Sequence, residues 1–263
     1  MMKILLNLFL LSIIVNSCGL TNESDLLGND IRLFKGTPVW GLAKLVEKED
    51  TTAMRELLTE GNLKIDYQES RFGKSLLNFS SYTNRINAAR ILLEFGADPN
   101  LPDTYYGRSA FIQSCGYGYF VSDGYDTCTE LMELMLECGG DVNAVEVGPR
   151  IDGNKVRYTP LLMAASCCYE KVKILVEAGA DINYVDEYNR SPLREASLGN
   201  KDSDEIMKYL LIEKGANPDN VYVVTNRGDT LDLLYLIEDN FTLKKGTEKY
   251  KNIQVILEYL KNR

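Results

Sequence analysis

The stretch Leu175-Val176-Glu177-Ala178-Gly179-Ala180-Asp181-Ile182-Asn183 decides how this protein is read, because it recurs. It reappears as Leu92-Leu93-Glu94-Phe95-Gly96-Ala97-Asp98-Pro99-Asn100, as Leu136-Glu137-Cys138-Gly139-Gly140-Asp141-Val142-Asn143, and as Leu211-Ile212-Glu213-Lys214-Gly215-Ala216-Asn217-Pro218-Asp219. A degenerate copy, Leu57-Leu58-Thr59-Glu60-Gly61, precedes them all. From glycine to glycine the spacings are 35, 43, 40 and 36 residues. Self-similarity at such a period marks one supersecondary unit per copy, each too small to bury its apolar face alone and therefore stacked on its neighbours.

About ten residues after each phrase comes a second motif. The four versions are Gly73-Lys74-Ser75-Leu76-Leu77, Gly107-Arg108-Ser109-Ala110-Phe111, Tyr158-Thr159-Pro160-Leu161-Leu162-Met163-Ala164-Ala165 and Asn189-Arg190-Ser191-Pro192-Leu193-Arg194-Glu195-Ala196. Thr159 and Ser191 are placed to cap helices whose first residue is Pro160 or Pro192, where a missing N–H costs nothing. Ala164, Ala165 and Ala196 are small enough for neighbouring helices to approach closely. Val172, Leu175 and Val176 make an i, i+3, i+4 stripe for a second helix, and Gly179 supplies the left-handed residue that ends it. Asn189 takes a turn glycine's place, which its short polar side group permits.

Period, phrase and second motif together resemble the ankyrin repeat family and its TPLHxA signature. The usual histidine position holds Asn78, Ile112, Leu162 and Arg194 instead, so the bracing that histidine gives must be lost or replaced. The resemblance implies an all-α repeat solenoid of stacked helix-turn-helix units with β-hairpin fingers. Four full repeats are expected at 68–100, 101–143, 144–183 and 184–220. Capping repeats at 37–67 and 221–260 are expected to seal the ends, with Trp40, Leu42 and Leu45 on one side and Val255, Ile256 and Leu260 on the other.

Composition narrows the function. At 45% hydrophobic and 25% charged, the 263 residues have the make-up of a folded protein. The net charge of −9 argues against nucleic acid as a partner, since affinity there comes from neutralising phosphates. Histidine is absent, which removes the commonest general base and metal ligand together. The six cysteines, Cys18, Cys115, Cys128, Cys138, Cys167 and Cys168, contain no CxxC pair and describe no metal site. No cofactor is expected. No P-loop or dinucleotide fingerprint supports an enzyme or small-molecule binder, and Asp202, Asp204 and Glu205 fall where helix capping explains them.

Met1-Met2-Lys3 is a positive start and Ile4 to Val15 an apolar run too short for a comfortable membrane span, so residues 1–17 read as a signal peptide. Val15-Asn16-Ser17-Cys18 resembles a bacterial lipobox, with Asn16 its departure from the pattern; the resemblance implies acylation of Cys18 and a membrane anchor in the cell envelope, facing the periplasm or the cell surface. A secreted protein cut at the same bond, or an uncleaved anchor, also fits. Residues 18–36 are polar enough to read as a tether.

In ankyrin repeats, contacts usually come from the fingertips and the exposed face of each first helix, which line a concave groove. The resemblance places Arg71, Phe72 and Lys74; Tyr105, Tyr106 and Arg108; Lys155, Arg157 and Tyr158; and Glu187, Tyr188 and Arg190 there. Tyrosine and arginine are favoured interface anchors, so an acidic protein or peptide partner is the natural complement of this aromatic and basic stripe. Solvated scaffold is the other reading of the same basic residues.

Two insertions interrupt the pattern. Val145 to Tyr158, with Asp152-Gly153 as its turn, is expected to form an elongated finger. Gly116 to Asp126 is a tyrosine-rich loop bracketed by Cys115 and Cys128, which an oxidising compartment would allow to be stapled. Cys167-Cys168 reads as packing plus one exposed thiol. The protein thus reads as a monomeric interaction module, with an immunity-like inhibitor of an envelope-acting toxin or hydrolase as the alternative.

Overall fold

The computed structural model describes residues 26–116, 120–121, 124–125, 129–148, 157–199, 201–224, 227–241 and 245–263. The expected signal peptide, Cys18, Lys155, Cys128 and the turn at Asp152-Gly153 lie outside the described residues. Six helix pairs follow one another: α1 (Trp40–Lys48) with α2 (Thr51–Thr59), α3 (Leu76–Tyr82) with α4 (Ile86–Glu94), α5 (Ala110–Cys115) with α6 (Glu130–Glu137), α7 (Pro160–Ala165) with α8 (Tyr169–Glu177), α9 (Pro192–Ala196) with α10 (Ser203–Lys208), and α11 (Leu233–Asn240) with α12 (Glu248–Lys261). The last turn of the fifth pair, Tyr209–Glu213, is π-helical. This is the expected ankyrin-type stack of four repeats between two caps.

Each first helix starts where its hydroxyl stands. Ser75, Ser109, Thr159 and Ser191 accept hydrogen bonds from the backbone N–H groups of Asn78, Ile112, Leu162 and Arg194, three residues on. Two of the residues at the histidine position do more. Asn78 closes a capping box with Ser75 and donates to the Arg108 carbonyl at 3.4 Å, while Arg194 donates to the Tyr188 carbonyl at 2.9 Å. Turn bracing is therefore replaced in those two units.

The Asn that ends three of the phrases ties units together. Asn143 accepts from the Asp181 N–H at 2.8 Å and donates to the Gly179 carbonyl at 3.2 Å; Asn100 makes the same two bonds to Asp141 and Gly139, both at 2.8 Å. Asn183 accepts from Asn217 and Asp66 from Asp98 in the same way. The phrase recurs because each Asn satisfies the turn of the next copy.

First helices pack on first helices, α1 on α3 on α5 on α7 on α9, and α2 on α4 on α6 among the second helices. Ala88, Ala89, Ala164, Ala165 and Ala196 are fully buried at these contacts, beside Phe111, Leu92, Met132 and Leu161. The core is thus one continuous strip, each buried leucine contributing roughly 2 kcal/mol.

Three expectations are corrected. Residues 26–36 do not behave as a tether: Leu26, Ile31 and Phe34 are buried, Asp30 caps a 3-10 turn over Ile31–Phe34, and the Phe34 ring meets Phe79 edge-on at 6.3 Å. At the far end Val255 is exposed, and Ile253 joins Ile256 in sealing the stack, because the apolar stripe of α12 is phased two residues earlier. Cys167 and Cys168 are both buried, whereas Cys138 is exposed. Within the tyrosine-rich insertion a short antiparallel hairpin pairs β1 (Phe120–Val121) with β2 (Gly124–Tyr125), and a second hairpin, β3 (Tyr222–Val224) with β4 (Thr230–Asp232), precedes α11. Among the described residues no helix is long and apolar enough to cross a membrane.

Candidate partner-binding face

The fingers are joined edge to edge by backbone hydrogen bonds. The Thr104 N–H donates to the Phe72 carbonyl at 2.9 Å and the Val147 N–H to the Gly107 carbonyl at 3.1 Å. Gly107 and Gly148 touch backbone to backbone; a Cβ on Gly107, which has φ +68°, would collide with the Gly148 nitrogen. No other residue fits there. Where the second insertion leaves the repeat, the Glu146 N–H donates to the Tyr158 carbonyl.

Each finger carries a buried carboxylate that sequence reasoning overlooked. Asp103 accepts from the N–H groups of Tyr105, Tyr106 and Gly107; Glu69 accepts from those of Arg71, Phe72 and Lys74; Asp186 accepts from those of Tyr188 and Arg190. Glu146 accepts from the Tyr158 N–H across the second insertion. The signal was an acid four or five residues before each basic one: Glu69 and Lys74, Asp103 and Arg108, Asp186 and Arg190.

Those acids change what the basic residues do. Arg108 is bound to Glu146 of the next finger, with side chains 15% and 0% exposed, and reaches back to Gln113 on α5 at 3.1 Å. Arg190 forms two bonds to Glu195 on α9, at 2.9 and 2.6 Å, with side chains 19% and 4% exposed. Burial works against the charged form of Arg190, but the Glu195 carboxylate and the Tyr158 hydroxyl hold its pKa above the usual value. Arg157 donates to the carbonyls of Glu146 and Gly148. Lys74 is only 7% exposed and donates to the Gly28 carbonyl at 3.1 Å. The expected basic stripe is therefore largely turned inward as scaffold; among the described residues Arg71 is the expected basic residue that stays exposed.

What the structure does bring together is a ladder of rings and cations. Arg71 lies over Phe72 at 5.0 Å, Phe72 meets Tyr105 edge-on at 5.3 Å, and Tyr105 meets Tyr106 at 4.6 Å. Arg108 then sits over both Tyr106 and Tyr158 at 5.3 Å, and Arg190 over Tyr158 at 4.9 Å. Cation–π and edge contacts of this kind hold the rings in place and fix which faces they show. Phe72, Tyr105, Tyr106 and Tyr158 are half-buried, while Glu187, Tyr188 and Val147 are exposed along the same fingers.

The buried thiols of Cys115 and Cys167 have pKa values pushed up to about 12 by burial. Cys115 is a free thiol that donates to the Phe111 carbonyl. Between them the Lys171 ammonium, also buried, donates to the carbonyls of Ser114 and Gly116 at 2.9 and 2.8 Å, closing the C-terminal end of α5.

Comparison with known proteins agrees with this architecture. The family model described as ankyrin repeats (3 copies) matches residues 120–221. Among solved structures the protein is similar to EF0377, an ankyrin repeat protein, with 24% identity, a TM-score of 0.59, and coverage of 84% of this chain and 97% of that one. It is similar also to an ankyrin repeat domain (ABAYE2397) from Acinetobacter baumannii AYE, with 23% identity, a TM-score of 0.60 and the same coverage of 84% and 97%. No curated protein matches this sequence. The protein has the ankyrin repeat fold, a scaffold that generally serves as a protein–protein interaction module.

Proposed function

We propose that this protein holds a protein or peptide partner along its fingertips and the groove beside them, and that it does so in the cell envelope, anchored through a lipid on Cys18. The observation that carries the first half is the ring ladder from Phe72 to Tyr158. It is a row of half-exposed aromatics held rigid by Arg71, Arg108 and Arg190, flanked by exposed Tyr188 and Val147. Pre-ordered aromatic surface binds with little further loss of entropy. The anchor rests on the sequence from Met1 to Cys18.

The test uses residues whose loss leaves the scaffold intact. Arg71→Glu with Tyr188→Ser changes two exposed side chains and should shift stability by about 1 kcal/mol, chiefly through the lost contact of Arg71 with the Phe72 ring. Capture of envelope proteins on this variant, compared with the parent protein, should fall at least tenfold for the specific partner. Equal capture by both would remove the fingertips from the account. Labelling with a fatty acid, lost in Cys18→Ser, tests the anchor separately.

A further inference from the structure

At the head of the ring ladder, between the N-terminal segment and the first two fingers, lies a cavity of about 290 Å³ whose walls include Phe72, Tyr82, Tyr105 and the backbone of Gly28. Lys74, buried at 7% exposure as a residue, lines it. Its ammonium has three donors. Among the described residues it makes one hydrogen bond, to the Gly28 carbonyl, and lies over the Tyr82 ring at 4.1 Å. The two nearest acids, Glu69 and Asp103, supply charge, and Asp103 also lines the cavity with its second oxygen outside the turn bonds. Asp103 gives one oxygen to three backbone N–H groups, and both Glu69 oxygens accept from the turn of the first finger. A buried ammonium with donors facing an aromatic-walled cavity is an incomplete hydrogen-bond set, and a buried polar group left unmade costs free energy.

We propose that this cavity receives a carboxylate from the partner, borne on an acidic residue or on the partner's C-terminus, which accepts from Lys74 Nζ while its apolar stem lies against Phe72 and Tyr105. The proposal rests on the fingertips being the binding face and names the chemistry they read at one point. A carboxylate suits the site better than a neutral group because charge-assisted hydrogen bonds are roughly twice as strong, and Arg71, exposed at the rim, adds attraction on approach. Burial lowers the Lys74 pKa, with Asp103 and Glu69 acting in the opposite direction, so an added carboxylate would raise it. One wall belongs to the segment that includes Gly28, so the site exists only while residues 26–29 are docked.

The experiment titrates the ¹⁵N-labelled full-length protein with 3-phenylpropionate and, separately, with its uncharged amide. The carboxylate should shift the backbone signals of Gly28, Phe72 and Tyr105 and bind at least tenfold more tightly than the amide. Lys74→Met should abolish those shifts. Because that variant removes a buried group, the parent protein supplies a second readout: the ¹³Cε signal of Lys74 should titrate at higher pH when the carboxylate is bound. Two short peptides separate the sources. N-acetyl-Ala-Ala-Phe with a free C-terminus binding the better assigns the site to a terminus, and N-acetyl-Ala-Glu-Ala-amide binding the better assigns it to an acidic residue. Equal binding of acid and amide, shifts confined to other residues, or an unmoved Lys74 titration would each overturn the proposal. None of these outcomes depends on whether partner capture uses Tyr188 or Arg71.

Discussion

Arg190 offers the sharpest division between scaffold and binding surface. In Arg190→Met, Glu195 loses both guanidinium bonds while remaining in a pocket where its carboxylate arm is 4% exposed, and Tyr158 loses a donor at 3.0 Å and a cation over its ring. Removing one partner of a buried pair typically costs about 3–5 kcal/mol; because Arg190 keeps 19% exposure and water can reach the site, the lower end applies, about 3 kcal/mol. For a protein of this size that corresponds to a fall in Tm of roughly 6–12 °C. Urea unfolding followed by circular dichroism should show the midpoint moving while the slope stays constant. The double variant Arg190→Met with Glu195→Met should recover to within about 1 kcal/mol of the parent, since replacing both members of such a pair by apolar groups is often neutral. If Arg190→Met costs under about 0.5 kcal/mol and instead abolishes partner capture, Arg190 faces the partner and the inward reading is wrong.

Other consequences are equally checkable. Asn143→Ala removes two inter-repeat hydrogen bonds at an exposed position and should cost about 1–2 kcal/mol, whereas Asn143→Asp keeps the acceptor for the Asp181 N–H and should cost about half as much in the same urea assay. Lys171→Met strips two carbonyls at the end of α5 of a charged donor and should cost about 2 kcal/mol; an unchanged urea midpoint would show that the ammonium holds nothing together. The buried thiols set an alkaline limit. Cys115 and Cys167 stay protonated up to about 12 when folded, but ionise near the ordinary value of 9.0 when unfolded. Above pH 9 the unfolded state therefore binds fewer protons than the native one, and stability falls between pH 9 and 12, by on the order of 1–2 kcal/mol per pH unit. Cys115→Ala with Cys167→Ala should flatten that part of the profile, and an unflattened profile would contradict the assignment.

The fold was legible because its determinants are local. Ser75, Ser109, Thr159 and Ser191 cap helices within three residues of themselves, and Gly179 ends its helix where the phrase places it. The candidate face was legible only as a set of positions. Arg108 reads as exposed from its own neighbourhood, yet its direction is set by Glu146, 38 residues away on the next finger. Lys74 is covered by Gly28, 46 residues earlier, in a segment whose Asn, Asp and Gly residues mask the buried spacing of Ile31 and Phe34. Side-chain orientation across repeats is a tertiary property, and only the recurring acid before each basic residue carries it in sequence. The phase error at Val255 has the same origin: periodicity finds the helix, but contact with α10 decides which face is covered.

The central claim is that the fingertips bind a partner, and site-directed photocrosslinking tests it most directly. A benzophenone amino acid placed in turn at Phe72, Tyr105, Tyr188, Val255 and Tyr259 samples the fingers and the last helix in cells. The account predicts one common adduct from the three finger positions and none of that mass from Val255 or Tyr259. An adduct formed only from the last helix, or equally from all five positions, would contradict it.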